Sequence, residues 1–246
     1  EGISHETCSL AGTLKLGKLI GIYDSNQISI DGDIEGWFTD DSATRFESYG
    51  WHVIRDVDGH DADQIIAALN EARSITDKPS LICCTTVIGW GSPNKQGKES
   101  IHGAPLGDDE ISLTRKILDW EHDPFIVPEE YYAGWNARDR GIQLETEWNK
   151  KFTTYEEKYP HQAAEFKRRI EGKLPDDWSR ASANYIKNTA KAGEDMASRQ
   201  ASQKALNEYG PLLPELIGGS ADLAGSNLTI WSGSKGIDSE SGEGNY

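Results

Sequence analysis

Two places in the chain carry residue types that could do chemistry. The stretch LIGIYDSNQISIDG, residues 19–32, ends an apolar run in four oxygen-bearing side chains, Asp24, Ser25, Asn26 and Gln27. Asn26 offers a neutral amide oxygen, and the residues after it expose backbone carbonyls. Hard oxygens of this kind suit magnesium, which is usually shared with substrate phosphates. One amide oxygen and one carbonyl are too few alone, so a metal site here needs a carboxylate from elsewhere and a diphosphate. Taken alone, the residues read as an Asn and Ser turn closed by its own hydrogen bonds. The second place is IGWGSPNKQGKESIHGAPLG, residues 88–107, which carries His102. Position in a long glycine-rich loop is only a hint of function, and without further context His102 reads as a surface or structural histidine.

Other signatures fail on spacing. Gly91 to Glu99 resembles a phosphate-binding loop, but one residue too many separates the glycines and Glu99 stands where a Ser or Thr should hold magnesium. Asp31, Asp33, Glu35 and Gly36 begin like a calcium loop, but the closing position is Ser42, which supplies no bidentate carboxylate. No GxGxxG comes after the first strand, and GxSxG and HExxH are absent. His52, His122 and His161 read as surface or packing residues, and His60 as part of the turn leading into a helix.

The elements that must position these residues alternate. Residues 7–17 read as a helix packed closely on a sheet, 18–23 as a strand and 41–49 as a helix, with Asp or Ser as its cap and Gly50 as its stop. WHVIRDV (51–57) reads as a strand and Asp61 to Arg73 as a helix with Ile65, Ile66, Ala68 and Leu69 inward. SLICCTTV (80–87) is a nearly continuous apolar strand of the kind buried on both faces. This order predicts an α/β fold, an open and mostly parallel sheet with helices on both faces. Ligands of such sheets sit beyond the carboxyl ends of the strands, where loops 24–40 and 88–107 emerge. Residues 121–190 read as a charged, tryptophan-bearing helical region that wraps and links. GEDMASRQASQKALNEYG is a helix ending at Gly210, and PLLPELIGGSADLAGSN a strand with a small-residue loop after it. Together these look like the start of a second α/β domain.

The 246 residues carry a net charge of −16, which argues against nucleic acid, since a phosphate-binding surface needs clustered Lys and Arg. A small phosphorylated ligand needs only a few placed donors and is not excluded. No apolar stretch reaches the roughly 18 residues of a membrane span, so no membrane partner is expected. The three cysteines, two of them adjacent in a strand, lack disulfide and metal spacing and read as reduced core thiols of a cytoplasmic protein. The opening Glu1-Gly2-Ile3 lacks a methionine and a signal peptide, and reads as mid-domain.

The order of EGISHE, SLAGTLKLGKLI, YDSNQISIDG, GWFTDD, YGWHV, DGHD, TVIGWGSPNK, HGAPLG, SRQASQKALNEYGPLLPELIGGSADLAGSN and TIWSGSK resembles transketolase, a thiamine-diphosphate enzyme. The resemblance covers essentially the whole chain, as a central slice of a longer polypeptide. It implies a thiamine-diphosphate-binding fold. Residues 1–165 would be a diphosphate-binding domain lacking its N-terminal part, 166–192 a linker, and 193–246 the beginning of a pyrimidine-binding domain.

The resemblance also assigns residues. Asn26 and the carbonyl of Ile28 would hold Mg²⁺ (or Ca²⁺) on the cofactor diphosphate, with an Asp that precedes this chain. His102 matches the histidine that touches both thiamine diphosphate and sugar. Arg199, in SRQAS, and Ser226, in ADLAGSN, match residues that bind the substrate phosphate, a task suited to an Arg fork and a neutral hydroxyl. Thr85 stands where relatives often have Lys. The activity implied is transfer of a two-carbon ketol unit from a ketose phosphate to an aldose phosphate, with the cofactor as electron sink and His102 as proton carrier. A homodimer with active sites at the subunit interface is implied too. Two alternatives remain: a related enzyme such as deoxyxylulose-phosphate synthase or dihydroxyacetone synthase, and a non-catalytic module. Alone, without the upstream Asp and a downstream Glu, the segment is expected to be inactive.

Overall fold

The computed structural model describes residues 2–246, and the backbone forms two compact units, Glu1–Pro128 and Glu129–Tyr246. The first unit is α/β. Its elements in chain order are α1 (Ile3–Thr13), β1 (Ile20–Ser25), the short pair β2 (Ile28–Ser29) and β3 (Gly32–Asp33), α2 (Ser42–Ser48), β4 (His52–Asp58), α3 (Ala62–Ser74), β5 (Ser80–Thr85) and α4 (Asp108–Ile117). The main sheet is parallel with order β1-β5-β4, so the most apolar strand is central.

Alternation along β5 explains why it is apolar throughout. Leu81 and Cys83 face one layer, with Ala11 and Cys8 of α1, Phe46 of α2, and Trp51. Ile82 and Cys84 face the other, with Ala68 and Ala72 of α3 and Val57. Helices therefore cover both faces, as the run 80–87 predicts. The adjacent cysteines lie on opposite faces as free thiols. The N-caps form where residue type places them: Asp41 accepts from Thr44 N at 2.9 Å, and Asp61 from Asp63 N at 2.9 Å.

One boundary moves. The helix expected over 7–17 runs instead from Ile3 to Thr13. Lys15 adopts φ +54, and a Cβ on Gly17 would lie 1.9 Å from the carbonyl oxygen of Thr76, so this segment must turn where the α3–β5 connection passes. Gly12 shows why the small residues of α1 matter: a Cβ there would lie 1.7 Å from the Tyr49 carbonyl oxygen.

The second unit comprises α5 (Glu129–Trp135), α6 (Arg138–Lys158), α7 (Pro160–Ile170), α8 (Trp178–Ala192), α9 (Ser198–Tyr209) and the single turn α10 (Ala224–Asn227). Helices α6 and α7 meet through aromatic rings, Trp148 stacked on Phe152 at 5.0 Å and Phe152 against Phe166 at 5.4 Å. Tyr209 of α9 lies against Trp178 at 4.9 Å and Tyr185 at 5.2 Å, both from α8. The strand expected within PLLPELIGG does not form. Pro211 and Pro214 donate no backbone hydrogen bond, and the amides of Leu213 and Leu216 close local turns onto Gly210 and Leu213. Gly218 N makes one bond, 3.0 Å to Asn245 O, which is too little to build a ladder.

Candidate functional site

Asn26 directly follows β1, whose last residue, Ser25, is in register with Thr85 of β5. The Asn26 side-chain oxygen accepts the Ile28 N–H at 3.1 Å, so the predicted turn forms. Gln27 takes φ +62 within it and donates from Nε2 to Ser25 Oγ at 2.8 Å. The Gln27 carbonyl accepts from Ile34 N at 3.2 Å, and Ile28 pairs with Asp33 in the β2–β3 ribbon. An amide oxygen has two lone pairs, so Asn26 can keep this bond and still ligate a cation.

The loop carrying His102 leaves the neighbouring strand at the same edge of the sheet. Thr86 Oγ1 donates to Asp24 Oδ1, and Thr86 N to Ser25 O at 3.3 Å, which sews the exits of β1 and β5 together. Val87 N donates to His60 Nε2 at 2.8 Å, and the His60 ring stacks on Trp90 at 4.1 Å. That acceptor role requires the neutral tautomer with its proton on Nδ1. Beyond the turn at 99–101, His102 N bonds to Glu99 O at 2.9 Å and Gly103 comes next at φ +69, leaving the imidazole exposed.

The loop is clamped at its base. Glu110, only 7% exposed, accepts from Asn94 N at 2.9 Å, from Asn94 Nδ2 at 2.9 Å and from Ser92 Oγ. These bonds, led by Ser92, hold its carboxyl down at about 2. Lys95 Nζ donates to Leu106 O at 2.7 Å, so the lysine of the apparent phosphate loop is used to close it.

A cleft of about 310 Å³ opens at this sheet edge, lined among others by Tyr23, Ser25, Gln27, Arg55, Cys83 and Thr85. Arg55 already pairs with Glu47 at 2.9 Å and Asp41 at 3.4 Å. Burial pushes the Cys83 thiol up, away from a reactive thiolate. Among the described residues no three acidic, His or Cys side chains gather into a metal centre. Asn26 offers its amide oxygen and the residues after it backbone carbonyls, donors that suit magnesium in the company of phosphate oxygens.

In the second unit, Arg199 lies in the first turn of α9 and Ser226 in α10, both exposed. Arg199, Gln203 and Asn207 recur at four-residue spacing along one face of α9. Gln203 Nε2 donates to Ile230 O at 2.6 Å and Asn207 Oδ1 accepts from Ser232 N at 2.7 Å, so the segment after Ser226 is tied to the face that begins with Arg199.

Sequence reasoning missed Glu110, Gln203 and Asn207, and placed His60 in the turn before α3 without its bond from Val87. Glu110 looks like one more acid in the first turn of a helix, and only the partners reveal its task. The i, i+4, i+8 recurrence from Arg199 was the one signal available for Gln203 and Asn207.

Residues 1–175 match the family model of the transketolase thiamine diphosphate binding domain. The whole chain is 60% identical to transketolase 1 of Escherichia coli and 57% identical to transketolase 1 of Vibrio cholerae, spanning 37% of the length of each. Among solved structures it resembles transketolase from Pichia stipitis in complex with sedoheptulose-7-phosphate, at 41% identity and a TM-score of 0.81 over 95% of this chain and 34% of that one. Transketolase from Leishmania mexicana matches at 36% identity and a TM-score of 0.83, over 100% of this chain and 36% of that one. The chain belongs to the transketolase family.

Proposed function

We propose that a protein carrying this chain is a transketolase, transferring a two-carbon ketol unit reversibly from a ketose phosphate to an aldose phosphate. The observation that carries this reading is the exit of the Asn26 turn and the His102 loop from two hydrogen-bonded strands, in a chain that matches transketolases along its whole length. Residues 1–165 serve as the diphosphate-binding domain, 166–192 as a linker and 193–246 as the start of the pyrimidine-binding domain.

Asn26 Oδ1 and the Ile28 carbonyl would hold Mg²⁺, or Ca²⁺ in its place, against the cofactor diphosphate. Thiamine diphosphate, when bound, supplies the electron sink that two-carbon transfer requires. The chain's own side chains orient and move protons. His102, exposed at the end of a clamped loop, exchanges a proton with the sugar oxygen at the reacting carbon. Arg199 and Ser226 bind the sugar phosphate at the far end. The enzyme works as a homodimer with its sites at the subunit interface, in the cytoplasm, where the free thiols Cys8, Cys83 and Cys84 stay reduced. No nucleic acid takes part, and no helix among the described residues is long and apolar enough to cross a membrane.

The test is transfer of isotope from the first two carbons of a ketose phosphate to an aldose phosphate, with magnesium and thiamine diphosphate supplied. Label in the lengthened sugar supports the reading. Its absence from a folded, cofactor-loaded enzyme contradicts it.

A further inference from the structure

We infer that Gln203 is a positioning residue for the sugar-phosphate end of the site, holding the Ser226 segment in register with Arg199. This rests on the reading of Arg199 and Ser226 as phosphate-binding residues.

The segment 224–234 has no sheet to fix it, and α10 is a single turn. Three contacts tie residues 230–232 to α9 and its C-terminal end. Gln203 Nε2 donates to Ile230 O at 2.6 Å. Asn207 accepts the Ser232 N–H at 2.7 Å while its own amide nitrogen bonds back to Gln203 O at 2.9 Å. Trp231 sits against Gly210, where an added Cβ would come within 2.7 Å of the indole. The Gln203 bond is the one nearest Arg199, a single helical turn away.

The register set by that bond continues back along the chain. Thr229 N bonds to Ala224 O at 3.3 Å and Ser226 N to Leu223 O at 3.1 Å, which closes 223–229 into a turn joined directly to Ile230. Releasing Ile230 would therefore let the Ser226 hydroxyl drift from its place while both proposed phosphate-binding side chains stay chemically intact. Small misplacements of a positioned group weaken the interaction it was meant to make.

The experiment compares Gln203→Met and Arg199→Ala in the cofactor-loaded enzyme, using a ketose phosphate and the same ketose without its phosphate. Methionine keeps the length and loses the donor without adding a charge one turn from Arg199. The expected result is a several-fold larger rise in KM for the phosphorylated donor than for the bare sugar in Gln203→Met, with kcat nearly unchanged. Equal rises for both sugars, or no rise, overturn the inference while Arg199→Ala still discriminates. If Arg199→Ala fails to discriminate, the phosphate reading falls and this inference with it.

Discussion

Both carboxylate oxygens of Glu110 close on Asn94: Oε1 accepts the backbone N–H at 2.9 Å and Oε2 the side-chain amide at 2.9 Å. The loop that ends at His102 and returns at Leu106 is thereby held by a buried anion. The carboxyl is lowered from 4.5 to about 2, chiefly by the Ser92 hydroxyl and then by Asn94. A lowered carboxyl contributes stability that is complete above the unfolded value and is lost as pH falls through the folded one. The thermal midpoint of Glu110→Gln should therefore fall below wild type at neutral pH, and the gap should narrow between about pH 4.5 and 2. Asp41 and Glu215 are lowered to about 2 as well, but they remain in both proteins, so the difference isolates Glu110. A gap that stays constant across that range would show the carboxylate is not what holds the loop.

Gly12 gives a sign test for the packing of α1. Glycine to alanine inside a helix ordinarily stabilises by about 0.5–1 kcal/mol. Here the new Cβ would lie 1.7 Å from the Tyr49 carbonyl oxygen, a backbone atom that cannot swing aside. Gly12→Ala should instead destabilise the fold, by roughly 1–3 kcal/mol. Denaturant melts giving an unchanged or higher midpoint would mean that α1 does not pack where the structure has it.

His102 is exposed, and its removal should leave stability within about 0.5 kcal/mol of wild type. As a proton carrier it should nonetheless matter to turnover, with His102→Ala lowering kcat/KM by about 10²–10⁴. Steady-state kinetics beside a thermal melt separates these effects. Normal turnover, or a loss explained by unfolding, would remove His102 from the reaction.

Much of the first unit was legible because its signals are local. Asp41 and Asp61 announce helix starts, and the unbroken run from Ser80 announces a strand buried on two faces. The places that misled are those decided by distant neighbours. Leu14 and Leu16 continue a helical pattern, yet the chain turns at Lys15 and then passes Thr76 of a later connection so closely at Gly17 that no Cβ fits. The apolar residues of PLLPELI look extended, but a strand exists only through its neighbours, and here the amides turn back on their own segment. At the site, the Asn26 turn was readable from residue type alone, whereas its link to a diphosphate came from the family resemblance. The clamps at Glu110 and Gln203 were invisible because a glutamate or glutamine on a helix shows its purpose only when its partner is in view.

If the carboxyl edge of the β1–β5 pair holds a metal-bridged diphosphate, Asn26 is the side chain that carries it. The direct measurement is equilibrium binding of thiamine diphosphate as a function of magnesium, in wild-type enzyme and in Asn26→Ala. Wild type should bind the cofactor with an affinity that rises with magnesium. The variant should lose affinity for cofactor and metal together, by about tenfold or more, with only the small drop in thermal midpoint, in the absence of both, that loss of the bond from Ile28 N brings. Unchanged cofactor affinity at every magnesium concentration would contradict the metal role and leave Asn26 as a turn residue alone.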